Sequence, residues 1–185
     1  MRKIRVFENV SLDGFFADEK SDMSWAHKHD EEWTAFSSGN AGGEAELLFG
    51  RVTYEMMASF WPTAEAARML PEVAAGMNRM RKFVFSRTLT AVSWQNTALL
   101  QGDLASEAAR LKQQPGPDLL MLGSGRIVSQ LTEARLIDEY QIVLAPIILG
   151  RGRTLFETVK DKRPLALTSN RSFRNGNVVL KYVPT

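Results

Sequence analysis

Leu119-Leu120-Met121-Leu122-Gly123-Ser124-Gly125-Arg126-Ile127 is the stretch that decides how this chain folds. From Asp118 to Leu122 the run is nearly all apolar and short, as expected of a central strand covered on both faces. Gly123-Ser124-Gly125 then opens a helix predicted to reach about Ala134. Such a turn aims unpaired backbone N–H groups and the positive end of a helix dipole at one point, and glycine lets a phosphate approach closely. An isolated Gly-x-Gly more often makes only a tight turn. The full Gly-x-Gly-x-x-Gly pattern fails at Val128, and the segment lies late in the chain, which rejects a Rossmann fingerprint.

A second turn of the same kind shifts the balance. Leu47-Leu48-Phe49-Gly50-Arg51-Val52-Thr53 reads as strand, glycine, helix, with a guanidinium and a hydroxyl in the first helical turn. Arg pairs with phosphate bidentately, and Thr can donate to it. Phe85-Ser86-Arg87 ends a third strand with the same two functional groups. Three strand ends with anion-binding chemistry suit one long, multiply charged ligand across the carboxyl edge of an open α/β sheet.

The rest of the chain fits around these turns. Strands are predicted at Lys3 to Val10, Ala45 to Phe49, Lys82 to Ser86 and Glu139 to Pro146, with an extended segment near Asn96 to Leu100. Helices are predicted at Asp30 to Ser37, Arg51 to Phe60 (stopped by Pro62), Pro71 to Met80 and Asp103 to Gln113. A polar loop is expected from Ser11 to about His29, and a glycine and arginine loop from Leu149 to Thr154. The end reads as a hairpin, Leu165 to Phe173 and Val178 to Val183, turned at Arg174-Asn175-Gly176-Asn177. Alternating strands and helices predict one α/β domain over residues 1–185, with a mixed, mostly parallel central sheet, flanking helices and a C-terminal antiparallel hairpin.

Composition agrees with a folded domain. The 185 residues are 44% hydrophobic and 24% charged, with interspersed charges and a net charge of +2. That excess is too small for a nucleic-acid footprint. Cysteine is absent, which excludes disulfides, thiolate catalysis and cysteine-based zinc sites. No apolar run approaches a membrane span, and Glu8, Asn9, Ser11 and Asp13 interrupt any secretory h-region, so a cytoplasmic protein is expected.

Five segments together carry a resemblance to a known family. They are Ser11-Leu12-Asp13-Gly14-Phe15-Phe16-Ala17, Gly50-Arg51-Val52-Thr53-Tyr54-Glu55, Phe83-Val84-Phe85-Ser86-Arg87-Thr88-Leu89, Gly123-Ser124-Gly125-Arg126-Ile127, and Leu136-Ile137-Asp138-Glu139 through Ala145-Pro146-Ile147-Ile148-Leu149-Gly150 to Gly152-Arg153-Thr154-Leu155-Phe156. In this order and spacing, over almost the whole chain, they resemble the dihydrofolate-reductase-like superfamily, in its branch related to the reductase domain of bacterial riboflavin biosynthesis. The resemblance implies a three-layer fold, NADPH as cofactor, and hydride transfer to a small nitrogen heterocycle of pyrimidine or pterin type, as in 5-amino-6-(5-phosphoribosylamino)uracil reductase. It implies that Gly50, Arg51 and Thr53 hold the cofactor phosphates and that Ser86 and Arg87 lie near the adenosine, where Arg87 would select a 2′-phosphate. Leu122, Gly123, Ser124, Gly125, Arg126 and Ile127 would underlie the pyrophosphate and nicotinamide ribose. Phe16 and Ala17 would lie in a mobile loop closing over the nicotinamide.

On the substrate side the resemblance implies Asn9, Trp25 and Trp33, with Asp30 as a carboxyl that assists protonation of the ring. Chemically this is sound, because hydride reduction of a C=N bond needs a proton. Asp30 is equally suited to be the N-cap of its helix. His27 and His29 lack a third metal ligand, so no metal is expected. Arg151 and Arg153 could grip a substrate phosphate or be ordinary loop arginines, while Trp61, Trp94, Met56 and Met57 fit core or interface positions. Ser124 has no histidine nearby in sequence to make it a nucleophile. The leading expectation is a stand-alone NADPH-dependent reductase, with a non-catalytic nucleotide-binding protein of the same fold as the alternative. The family and the apolar run Ile142 to Leu149 also predict a homodimer.

Overall fold

The computed structural model describes residues 1–26, 30–42 and 44–185; His27 and His29 lie outside the described residues. Eight strands form the main sheet: β1 (Ile4–Ser11), β3 (Ala45–Gly50), β4 (Lys82–Phe85), β5 (Thr97–Leu100), β6 (Asp118–Leu122), β7 (Glu139–Ala145), β9 (Leu165–Ser172) and β10 (Val178–Pro184). Their order is β5-β4-β3-β6-β1-β7-β10-β9. The first six run parallel, and β10 pairs antiparallel with both β7 and β9. The parallel sheet with flanking helices and closing hairpin is the architecture expected from the sequence.

Helices cover both faces, which is why the central strands are apolar in both directions. On one face α5 (Leu104–Gln113) and α6 (Gly125–Glu133) pack Ala108, Leu111, Val128 and Leu131 on Ile4, Val6, Leu48, Leu119 and Met121. On the other, α2 (Arg51–Phe60) and α4 (Pro71–Arg79) set Tyr54 and Met77 on Leu47, Phe49 and Val84. Beside them, Trp33 and Phe36 of α1 (Glu31–Gly42) meet Val143, Phe173 and Val179.

One charge is buried in β4. Lys82 is fully buried, yet its Nζ donates to the carbonyls of Met77 (2.8 Å), Asn78 (3.3 Å) and Met80 (2.6 Å) and stands 4.3 Å from the centre of the Trp94 ring. The ammonium thus satisfies carbonyls that the end of α4 leaves without helical partners. At the amino edge of the sheet, Lys112 pairs with Asp138 at 2.6 Å, and Asp138 also accepts the Ile4 N–H at 2.8 Å.

Three details depart from expectation. The segment after β1 is not all loop: β2 (Phe15–Ala17) pairs with β8 (Arg153–Thr154), and a 3-10 turn follows at Ser24–Ala26. Strands of three and two residues have no periodicity to read; tertiary contact makes them. An unpredicted helix, α3 (Ala64–Met69), restarts just after Pro62, with the Thr63 hydroxyl accepting the Ala66 N–H at 3.2 Å. Finally, α1 runs past Ser37 to Gly42. No helix among the described residues is long and apolar enough to cross a membrane.

Candidate functional site

In the sheet, β3 lies beside β6, so their glycine turns are neighbours at the carboxyl edge. Gly50, the last residue of β3, donates its N–H to the Ser124 hydroxyl at 2.8 Å. A Cβ at Gly50 would meet Ile127 Cγ1 at 2.9 Å, so the close approach of the turns requires glycine there. Ser124 has φ +74°, an unusual conformation for a non-glycine residue. Its hydroxyl is committed to Gly50 and makes no cap bond to α6. Helix α2, whose N-cap is Gly50, has no side-chain cap either. By contrast, Asp30, Thr63 and Asp103 cap α1, α3 and α5. Side chains leave α4, which opens on Pro71, uncapped as well; the site brings together the uncapped N-termini of α2 and α6, which are suited to receive anionic groups.

Gly123 precedes Ser124 with φ +80°, and the place its side chain would occupy is flanked by Thr53 Cγ2 (3.5 Å), Glu8 Oε2 (3.7 Å) and Thr53 Oγ1 (3.8 Å). Gly125, the first residue of α6, is covered by the Phe16 ring: a Cβ there would stand 2.5 Å from both Cε1 and Cζ. Phe16 and Ala17 are buried in the strand β2, and Arg153 lies 5.5 Å from the Phe16 ring centre. The two residues expected in a loop thus lie in a short strand and pack in the core.

The hairpin-like tie behind β2 explains the Ser-Leu-Asp-Gly marker. Ser11 Oγ donates to Asp13 Oδ1 at 2.6 Å and accepts the Phe15 N–H at 2.9 Å. Asp13 in turn accepts the N–H groups of Leu149 (3.1 Å) and Gly150 (2.7 Å). These bonds, led by the Ser11 hydroxyl, hold the Asp13 carboxyl below its ordinary range. Asp13 thus clamps together two loops that are distant in sequence.

The remaining predicted residues fall into separate places. Arg51 is half-exposed and pairs with Glu55 at 2.8 Å on the first turn of α2. Ser86 accepts the N–H groups of Thr88 (3.2 Å) and Leu89 (3.0 Å), stiffening the turn after β4. Arg87 is exposed and close enough to Asp103 to help depress its carboxyl, after the Ser106 hydrogen bonds. Arg126 is exposed on α6, and Leu122 is half-buried where β6 ends.

On the substrate side, Asp30 Oδ1 accepts the N–H groups of Glu32 (2.8 Å) and Trp33 (3.3 Å), the geometry of an N-cap. Trp33 is buried edge-on against Phe173, with ring centres 5.0 Å apart. Trp25 Nε1 reaches the Asp22 carbonyl at 3.3 Å. Asn9 pairs in register with Val143, a neighbour of Trp33, and its buried Oδ1 has no hydrogen-bond partner. Trp33 and, by alternation along β1, Asn9 lie on the sheet face opposite α6.

Sequence reading missed Glu8. It is only 2% exposed; Oε1 accepts the Asn9 N–H at 3.1 Å, and Oε2 has no partner. Burial is the main influence on this carboxyl and pushes its pKa up to about 8, with the Asn9 N–H opposing. The available signal was alternation: Ile4 and Val6 point into the α6 face, so Glu8 must follow them.

Comparison with known proteins agrees with this architecture. Two uncharacterized Bacillus subtilis proteins, YyaP and YwjB, are 26% and 25% identical over 182 residues, covering 98% of this chain and 94% and 98% of theirs. Among solved structures, a Shewanella sp. PV-4 protein named for riboflavin biosynthesis superposes with a TM-score of 0.75 at 24% identity, covering 99% of both chains. Dihydrofolate reductase from Enterococcus faecalis, complexed with NADP(H), gives a TM-score of 0.64 at 12% identity over 99% of this chain and 96% of its own. These structures share the dihydrofolate-reductase-like fold, and with residues 2–181 matching the RibD C-terminal domain, the chain belongs to that family.

Proposed function

We propose that this protein is a reductase that uses NADPH to deliver hydride to a small nitrogen heterocycle of pyrimidine or pterin type. The family and fold support a reductase of the pyrimidine-reductase type. The observation that carries the finer reading is the pair of uncapped helix N-termini stitched by Gly50 N–H to Ser124 Oγ. A dinucleotide fits the chemistry there: backbone donors from two helices, the Thr53 hydroxyl, and guanidinium groups at Arg51 and Arg87 for phosphates. The orphaned Glu8 oxygen and the gap left by Gly123 point the same way.

When bound, NADPH supplies the hydride. The chain's residues bind and orient it; Phe16, buried on Gly125, closes the floor of the turn against water. The E. faecalis enzyme carries NADP(H) on the same fold, which supports a nicotinamide cofactor. On the substrate side, Asn9 Oδ1, which has no hydrogen-bond partner, is an acceptor for a ring N–H, and Asp30, which caps α1, is the carboxyl proposed to assist protonation. A homodimer remains part of this reading on the family alone, since the first half of the Ile142 to Leu149 run lies in β7 between β1 and β10; two chains' mass in sedimentation checks it.

Titration calorimetry with NADPH and NADH tests the proposal. Binding of NADPH in preference to NADH is expected, with Arg87→Ala reducing that preference; an intact fold that binds neither refutes the reading. Cofactor binding without oxidation across pterins, pyrimidines and flavins would instead favour a non-catalytic nucleotide-binding protein.

A further inference from the structure

Glu8 is a buried carboxyl that the proposed reaction does not otherwise use. In the sheet it lies between Ile142 of β7, its register partner, and the end of β6, where Phe7 pairs with Leu122 and Gly123 follows. Its Oε2 and the Thr53 hydroxyl meet at the gap left by the missing side chain of Gly123. That gap opens at the start of α6, beside the start of α2. A carboxylate fixed there would repel the anion that the two helix ends attract. A carboxylic acid would not, because its O–H adds a further donor directed at the same place.

We propose that Glu8 is a ligand-contacting residue of this site, its Oε2 hydroxyl donating a hydrogen bond to an oxygen of the cofactor held on the Gly123–Gly125 turn. This rests on the reading of the site as a dinucleotide-binding one. Three observations carry it: the carboxyl is buried, one oxygen has no partner, and that oxygen stands at a cradle which any residue but glycine would fill. A buried polar atom with no partner is costly, so a ligand that satisfies it gains accordingly.

The protonation state fits the role. At neutral pH a carboxyl whose pKa is raised to about 8 is mostly protonated. No neighbouring charge contributes to the shift; burial raises it and the Asn9 N–H lowers it. Among the described residues, Thr53 on α2 and the Gly123 backbone after β6 stand at the same gap and Ile142 on β7 is the register partner of Glu8, none of which titrates in this range. As pH rises through about 8, Oε2 loses its proton, the donor becomes an anion, and an anionic ligand binds less well.

The experiment is NADPH titration calorimetry of the full chain from pH 6 to 9.5, for the wild type, Glu8→Gln and Glu8→Ala. The wild type should weaken as pH passes about 8. Glu8→Gln, a neutral isostere whose amide still donates, should bind like the wild type at pH 7 and lose the part of the slope due to Glu8. Glu8→Ala should bind roughly tenfold more weakly at pH 7, the equivalent of one hydrogen bond to a charged group. Thermal melts of each variant confirm that the fold is kept, and Glu8→Gln, which preserves volume, decides the matter if Glu8→Ala fails to fold. NADPH binding with the same pH slope in Glu8→Gln as in the wild type overturns the inference alone. A wild type that binds no NADPH overturns the functional reading, and this inference with it.

Discussion

Gly125→Ala offers a sharp test of how the site is built. The added Cβ would stand 2.5 Å from Phe16 Cε1 and Cζ and 3.3 Å from Cδ1. Ordinary carbon contacts are about 3.5–4.0 Å, so the ring must withdraw by roughly 1 Å. Phe16 is buried and its strand pairs with β8, so the ring cannot swing outward without loosening that pair. Overpacking of this kind costs about 1–3 kcal/mol. For a chain this long that is a fall in Tm of roughly 2–12 °C. Phe16→Ala alone should cost about 3–5 kcal/mol through lost burial and a cavity. In the double variant the clash is gone, the new methyl fills part of the cavity, and Ala suits a helix better than Gly. The double variant should therefore be no less stable than Phe16→Ala by itself. Urea unfolding of the four proteins gives the coupling energy directly. If the two single losses simply add, the Phe16 ring does not rest on Gly125 and the account of the turn fails.

Other consequences can be measured independently. Lys82→Met removes three hydrogen bonds from a charged donor and leaves buried carbonyls unsatisfied, so a loss of about 3 kcal/mol in urea unfolding is expected. Burial lowers the folded-state pKa of Lys82 from 10.5 to about 8. The unfolded chain then binds more protons between those values, so wild-type stability should rise with pH across that window relative to Lys82→Met; a constant gap would contradict the burial. Asp13→Ala should release the loop it clamps, seen as faster hydrogen exchange at the Leu149 and Gly150 amides; unchanged exchange would mean the clamp is not what orders them. With its folded-state pKa lowered, Asp13 contributes stability above its unfolded pKa that is lost as pH falls through the folded value. Asp30→Ala should lower stability by about 1 kcal/mol and Asp30→Ser should largely restore it; a neutral Asp30→Ala would show that the α1 cap is dispensable.

Much of this was legible in the sequence because the central strands are short apolar runs and their turns carry glycine. Gly50 and Gly123 could be read as strand ends from the residues alone. The Gly50–Ser124 hydrogen bond could not, because it depends on β3 and β6 being neighbours although two strands separate them in the chain. The β2–β8 pair was invisible for a related reason: it needs Gly152, whose backbone lies against the Ala17 carbonyl where a Cβ would collide. Asp30 was readable as a cap from its place before the helix, but the aromatic packing that buries Trp33 comes from Phe173, far along the chain. Glu8 was passed over because an acidic residue in a strand reads as solvated until its register shows which way it faces.

The bond between Gly50 and Ser124 also has a kinetic meaning. Its partners are 74 residues apart, and α2, α3, α4, β4, β5 and α5 all intervene. Closing so long a loop is among the slower steps of folding. The two helix ends cannot act as one receptor until β3 and β6 have paired. On the proposed reading, capture of a ligand that needs both helix ends would then wait for that pairing, and a chain in which β3 and β6 have not met would be blind to it.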